Sequence, residues 1–219
     1  MQASGGFPID LILFAMIAAF LVLRLRSILG KRAGLEPAPT PASGPVTRSG
    51  RVVDGRAEAP PATRKLPDAA GPVGRTMAAM QALDRRFDPA LFLGGAEHAF
   101  RMIVEAFAAG DRDRLRPLLT PDTFAAFESV IAARQAEGHT QRTDLRSIDE
   151  VTITDAQLAG TAASITVRFV SNQVNITTDA AGAPVMGTDA VTEIHDMWEF
   201  ARVLGQPDLT WRLASARSA

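Results

Sequence analysis

The chain has 219 residues and no cysteine, which excludes disulfide bonds, thiolate catalysis and cysteine-based zinc sites. Its net charge of −1 hides an asymmetry: residues 1–87 hold about 12 Lys+Arg and 6 Asp+Glu, whereas residues 88–219 hold about 11 and 18. The acidic second part excludes nucleic acid as an expected partner, although a merely solvated surface would show the same charge.

An uncharged apolar run, Leu11 to Leu23, predicts a transmembrane anchor that spans residues 7–29 with its flanks. A secretory signal peptide would carry positive charge before the run, and a core or interfacial helix would carry a polar face. The basic cluster that follows predicts, by the positive-inside rule, an amino terminus outside the inner membrane and a cytoplasmic carboxy-terminal domain. It also predicts attraction to anionic lipids.

Residues 33–75 are rich in Pro, Ala and Gly and show no apolar period, so we predict a disordered linker there and one domain at 76–219. The first helix of that domain carries an apolar stripe that is typical of packing on its own core, or alternatively of a membrane or partner surface. The membrane-contact candidates are Met77, Met80, Leu83 and Phe87.

Capping signals predict the next helices. Asp88 and Pro89 start a stretch that the pair Gly94-Gly95 is expected to bend or interrupt, and a strong helix should run from about Ala96 to Ala109, ending at Gly110. A short helix after Asp111 and a longer one from Asp122 to about Glu137 complete the helical part.

After His139 the apolar period changes to that of strands, at 141–156, 162–177, 191–204 and 209–216. Helices followed by antiparallel strands predict an α+β domain with the helices on one face of the sheet.

The segment AFRMIVEAFAAGDRDRLRPLLTPDTFAAFESVIAARQAEGHT, the strand ITVRFVSNQVNI, the W-x-F of Trp198 to Phe200 and the WRL at Trp211 together resemble the Tim44-like domain family. The likeness covers about Leu91 to Ser218. It implies helices on a curved antiparallel sheet, a cone-like fold similar to nuclear transport factor two, with a large apolar pocket.

The same resemblance implies a scaffold role in protein translocation or membrane-protein biogenesis, with translocation machinery, a chaperone or nascent membrane proteins as partners. It also implies that Met77 to Leu93 would be the lipid-contacting helix pair of the family. The runner-up function is a carrier of lipid or a small apolar molecule.

Six large apolar residues are expected to lie in the hydrophobic core. The alternative is that some of them line an apolar pocket. These pocket candidates are Phe100, Ile103, Phe107, Phe169, Trp198 and Trp211.

Catalytic motifs are scarce, so no enzyme activity and no cofactor is expected. The three histidines, His98, His139 and His195, lack metal-ligand spacing, and no nucleophile elbow or phosphate loop is present. Asp196 is the single enzymatic candidate, as a general base of a cone-fold enzyme, but it lacks a partner acid.

Overall fold

A computed structural model describes residues 61–219. The predicted anchor at 7–29 and most of the predicted linker lie outside these residues. Within 61–219, no helix has the length and hydropathy needed to cross a membrane.

The described residues form an α+β unit in which helices pack on a mixed, curved five-stranded sheet. In chain order its elements are β1 (Thr63–Lys65), α1 (Pro72–Leu83), α2 (Pro89–Ala109), α3 (Arg112–Leu115), α4 (Pro121–Ala136), β2 (Thr140–Ala159), β3 (Ala162–Thr178), β4 (Pro184–Val203) and β5 (Arg212–Ser218).

Sheet order follows chain order, β1-β2-β3-β4-β5. The pairs β2–β3, β3–β4 and β4–β5 are antiparallel, as predicted, but β1 lies parallel to β2, with Thr63 opposite Glu150. The prediction of a purely antiparallel sheet is therefore wrong. With three residues, β1 is too short to show a period, and ion pairs such as Lys65 Nζ to Glu150 Oε2 (2.6 Å) hold it to the sheet.

The predicted linker also extends too far, because β1 and the start of α1 fall inside residues 33–75. Pro72 occupies the first position of α1, where a missing N–H is tolerated.

Helix α2 is continuous through Gly94 and Gly95, which corrects the predicted interruption. The Asp88 carboxylate caps it by accepting from the N–H groups of Ala90 and Leu91, at 2.8 and 2.9 Å, and Gly110 ends it with φ of 70°. Burial of apolar residues on both sides of the glycines holds the helix against the sheet despite their low helix propensity.

The core lies between the helices and the inner face of the sheet. On β3 the alternate residues Ile165, Val167 and Phe169 are fully buried, and Trp198 and Phe200 face them from β4. These side chains meet α2 through Phe100, whose ring lies 4.4 Å from that of Phe169 and 4.6 Å from that of Trp198, centroid to centroid.

Near the start of β4, Gly187 lies so close to β3 that there is no room for a side chain. Its φ is 85°, and an added Cβ would lie 2.1 Å from the Asn175 carbonyl oxygen on β3. We expect Gly187→Ala to lower the free energy of unfolding by about 1–3 kcal/mol, because the backbone would be strained and β3 would have to move away from the added Cβ. Urea unfolding measures this loss.

Gly182 is the matched control for that substitution. Its φ is 81°, but no atom lies within 4 Å of an added Cβ. Gly182→Ala should therefore cost only the strain of a positive φ, without a steric clash. Equal losses for the two variants would contradict the steric argument at Gly187.

Candidate functional site

A cavity of about 330 Å³ opens between α2, the end of β4 and the segment that precedes β5. One wall is a stripe of α2, Leu91, Gly95, Ala99 and Met102, whose spacing places it on a single helical face. The remaining lining residues are Arg86, Phe87, Asp88, Phe92, Ala96, Leu118, Phe200, Arg202, Leu209 and Trp211.

The cavity wall is mostly aromatic and aliphatic. The Trp211 ring centroid lies 4.9 Å from that of Phe92 and 5.6 Å from that of Phe87, so three rings form one side. Leu91 is 76% exposed and Leu209 is 47% exposed, which leaves apolar surface at the mouth. Such a concave apolar site with few polar groups is the usual form of a small-ligand or anchor-residue pocket.

A charged cluster adjoins the cavity, and two of its members, Arg86 and Arg202, line it. The buried Asp84 carboxylate accepts from Arg86 Nε at 2.8 Å and from Arg86 Nη2 at 3.0 Å, and it also pairs with Nη2 of buried Arg202. The Gly205 N–H donates to it at 3.3 Å. The Arg86 hydrogen bonds hold the pKa of Asp84 well below its usual range, so this carboxylate stays ionised.

Arg202 is the least satisfied member of this cluster. Its guanidinium carbon lies 5.8 Å from the Trp211 ring centroid, and its Nε is buried with no hydrogen-bond acceptor among the described residues. A buried N–H without an acceptor costs about 1–3 kcal/mol and is an exception that calls for an explanation.

The six pocket candidates do not come together at this cavity. Phe100, Ile103, Phe169 and Trp198 are buried in the core, and only Trp211 lines the cavity. Phe107 is half-buried elsewhere, against Phe127 at 5.0 Å between ring centroids.

The membrane-contact candidates divide in a similar way. Met77, Met80 and Phe87 are buried, so none of them can contact a membrane surface in this conformation, although Phe87 lines the cavity. Leu83 is 51% exposed and remains available.

The enzymatic candidate and the histidines lie away from the cavity. Asp196 is paired in register with Phe169 on β3 and Ser218 on β5, and burial raises its pKa to about 6. His195 points to the other face, with Nε2 at 2.8 Å from Glu193 Oε1. Within residues 61–219, no group of three or more His, Asp or Glu side chains is arranged to hold a metal ion.

The missed lining residues had one readable signal. The cavity stripe of α2 exists only if the helix continues through Gly94 and Gly95, where we predicted a bend or an interruption. Its residues are Leu91, Gly95, Ala99 and Met102. The Asp84–Arg202 pair had no local signal, because 118 residues separate its members.

An apolar cavity beside a buried ion cluster, on an α+β scaffold, is a feature that binding domains share. The Tim44-like domain model matches residues 73–218, and the chain belongs to that family. No protein of curated function matches it in sequence.

Two solved structures illustrate a distant likeness in fold. The intermembrane-space region of the chloroplast protein ARC6 is 12% identical with a TM-score of 0.44, covering 61% of this chain and 99% of that one. An NTF2-like family protein from Streptomyces avermitilis, named as a candidate dehydratase, is 16% identical with a TM-score of 0.35, covering 60% and 99%.

Proposed function

We propose that this chain is a non-enzymatic scaffold, anchored in the inner membrane by residues 7–29, that holds a partner protein close to the bilayer. Its work is assistance in protein translocation or membrane-protein biogenesis, with the Tim44-like domain on the cytoplasmic side. Membership of the Tim44-like family over residues 73–218 is the observation that carries the proposal.

The surface of the domain supports a binding role. Leu91 and Leu209 are exposed at the mouth of an apolar cavity, and such a patch marks an interaction site when polar residues surround it. Arg86 and Asp88 lie beside the leucines, so an apolar anchor of a partner would meet a pocket with a charged rim.

Site-specific photo-crosslinking of the full chain in living cells tests this proposal. A photoreactive residue at Leu91 or Leu209 is expected to capture translocation subunits, chaperones or nascent membrane proteins. The same residue at Val185, which is also exposed but does not line the cavity, is the matched control. Capture of no protein at Leu91 and Leu209, or equal capture at Val185, would sink the scaffold proposal.

The anchor and its orientation need a separate measurement. The full chain is expected to resist alkaline carbonate extraction, and its domain should be digested by protease in inverted inner-membrane vesicles but not in intact spheroplasts. Release of the chain by carbonate would remove the anchor from the proposal.

A carrier of lipid or of a small apolar molecule is the second candidate, and the cavity favours it. A volume of about 330 Å³ lies at the lower end of ligand pockets in proteins. Acyl or other apolar material extracted from the purified full chain, and absent from a variant with a filled cavity, would support this function.

A further inference from the structure

Strand β1 is attached to the domain through charged side chains as well as backbone pairing. Its three residues, Thr63–Lys65, are all exposed. Arg64 Nε donates to Glu97 Oε2 on α2 at 2.9 Å, and Lys65 Nζ donates to Glu150 Oε2 on β2 at 2.6 Å. The two basic side chains are 53% and 54% exposed, whereas the two acidic ones are 16% and 19% exposed. The acids therefore belong to the body of the domain, and β1 adds its basic residues from outside.

The first acidic residue, Glu150, is held in place by the sheet. It also accepts from Thr152 Oγ1 at 2.8 Å and pairs with Arg168 of β3. The hydrogen bonds from Lys65 and Thr152 hold the pKa of Glu150 below its usual range, so its carboxylate stays ionised. This half of the contact is a fixed negative charge at the edge of β2.

Helix α2 supplies the second acidic residue. The Arg64 guanidinium carbon would lie 3.8 Å from a Cβ added at Gly94, and Glu97 follows about one turn later, so the guanidinium lies along one face of the helix. Within residues 61–219, Arg64 is the only cation that pairs with Glu97, because Arg101 on the next turn makes no ion pair with it. Release of β1 therefore leaves Glu97 without a counter-charge.

Strand β1 can leave the sheet without disturbing the core. Exposed ion pairs contribute little to stability and weaken in salt. Ala62, just before β1, is only partly buried against the core, and α1 is held separately by buried Met77 and Met80. Release bares the edge of β2 at Glu150–Thr152, where unpaired backbone groups are a template for another extended chain.

The charge of the bared edge determines which chain it suits. Without β1, two carboxylates, those of Glu97 and Glu150, remain with one guanidinium, that of Arg168. The acidic excess of residues 88–219 adds to this negative charge. A segment with adjacent basic residues restores both ion pairs, whereas an acidic chain or a nucleic acid is repelled.

We propose that the edge of β2, with Glu97 and Glu150, is a docking site for an extended segment of a partner protein that carries two adjacent basic residues. Strand β1 occupies this site within the chain until such a segment displaces it. The partner segment pairs with β2 in place of β1, and its basic residues meet the same two carboxylates. Neither carboxylate lines the cavity, so the inference is independent of the apolar-ligand function.

Hydrogen exchange of the full chain in lipid nanodiscs, measured by mass spectrometry, tests whether β1 opens by itself. We expect the amides of residues 62–66 to exchange at least about 100-fold faster than those of residues 165–169 on β3. Added salt should speed the exchange of 62–66 and leave β3 unchanged, because it screens the ion pairs. Exchange of 62–66 as slow as that of β3 would mean that β1 opens only when the domain unfolds, which would overturn the proposal.

Photo-crosslinking with a peptide tests the docking site itself. The basic probe is Ala-Thr-Arg-Lys-Leu, which repeats residues 62–66, with a diazirine on its first residue. The neutral probe has Gln in place of Arg and Lys. The full chain with Arg64→Gln and Lys65→Gln has a weakened β1, and in it we expect the basic probe to label peptides that contain Glu97 or Glu150 about tenfold more than the neutral probe does.

The original chain is the comparison for that variant, because its own β1 covers the edge. The basic probe should label it about tenfold less than it labels the double variant. Equal labelling of the two chains would show that β1 does not compete for the site, and equal labelling by the two probes would remove the role of charge. Either result overturns the proposal.

Glu97→Gln, added to the double variant, tests the acceptor. It should remove most of the preference for the basic probe, whereas Glu105→Gln, at an exposed position of the same helix, should leave that preference unchanged. Unchanged exchange of residues 165–169 verifies that each variant is folded. A preference that survives Glu97→Gln would contradict the assigned site. Dimers of the original chain that crosslink through residues 62–66 would identify a second copy as the occupant and overturn the assignment to a partner protein.

Discussion

Replacing Phe100 by alanine is expected to lower the free energy of unfolding by about 3–5 kcal/mol. Phe100 is fully buried where α2 meets the sheet, and its ring stacks on Phe169 and tilts against Trp198. Its removal takes away apolar burial and opens a cavity among side chains that cannot collapse into it. This loss is a large share of the stability of a typical domain. Urea unfolding followed by tryptophan fluorescence measures it.

Leu91→Ala is the control on the same helix, because its side chain is 76% exposed. We expect it to change the free energy of unfolding by less than about 0.5 kcal/mol. A loss for Phe100→Ala no greater than that of Leu91→Ala would mean that the aromatic cluster is not the centre of the core.

The Asp196→Asn variant is expected to stabilise the domain at pH 8 by up to about 3 kcal/mol and to have no such effect at pH 4. Burial raises the pKa of Asp196 to about 6, and the nearby His195 opposes this shift. The folded state therefore holds the proton more tightly than the unfolded state. This tighter proton binding stabilises the folded state. The stabilisation is fully present below about pH 4, where the unfolded group is protonated, and is lost as the pH rises through 6.

Unfolding free energies of both chains measured from pH 4 to pH 8 test this prediction. Asp189→Asn is the control on the same strand, because its side chain is exposed, and we expect it to leave the pH profile unchanged. Parallel profiles for Asp196→Asn and the original chain would show that Asp196 is not buried as an uncompensated carboxylate. If Asp196→Asn changes stability but no cellular phenotype, the cone-fold enzyme loses its only candidate residue.

Local signals predicted most of the elements. Asp88, Pro89 and Gly110 mark the true ends of α2 because caps act on backbone groups within one turn. The alternation of Ile165, Val167 and Phe169 identified a strand with one buried face.

Long-range pairing accounts for what the sequence did not predict in the fold. Thr63–Lys65 forms a strand because it pairs with β2. Its own residues are polar and exposed, so they carry no local signal for a strand. The Gly94-Gly95 pair resembles a local break, but packing of the whole helix on the sheet outweighs its conformational cost.

The candidate site was less predictable than the fold, for a physical reason. Apolar spacing identifies which face of an element is buried, but it does not say whether the space above that face is filled. Phe100 and Trp211 are equally apolar in the sequence, yet one stacks in the core and the other borders a cavity. That difference depends on how α2 packs against the end of β4 and the segment before β5, which is a property of the assembled domain.

The sheet order described above has a consequence for how the domain reaches its fold. Because β2 to β5 pair as successive neighbours along the chain, each hairpin closes a short loop, and the search for partners is local. Strand β1 is the exception, because it must find β2 across the whole helical segment. We therefore expect β1 to dock after the hairpins have formed, with the entropy of closing that long loop as its main kinetic barrier.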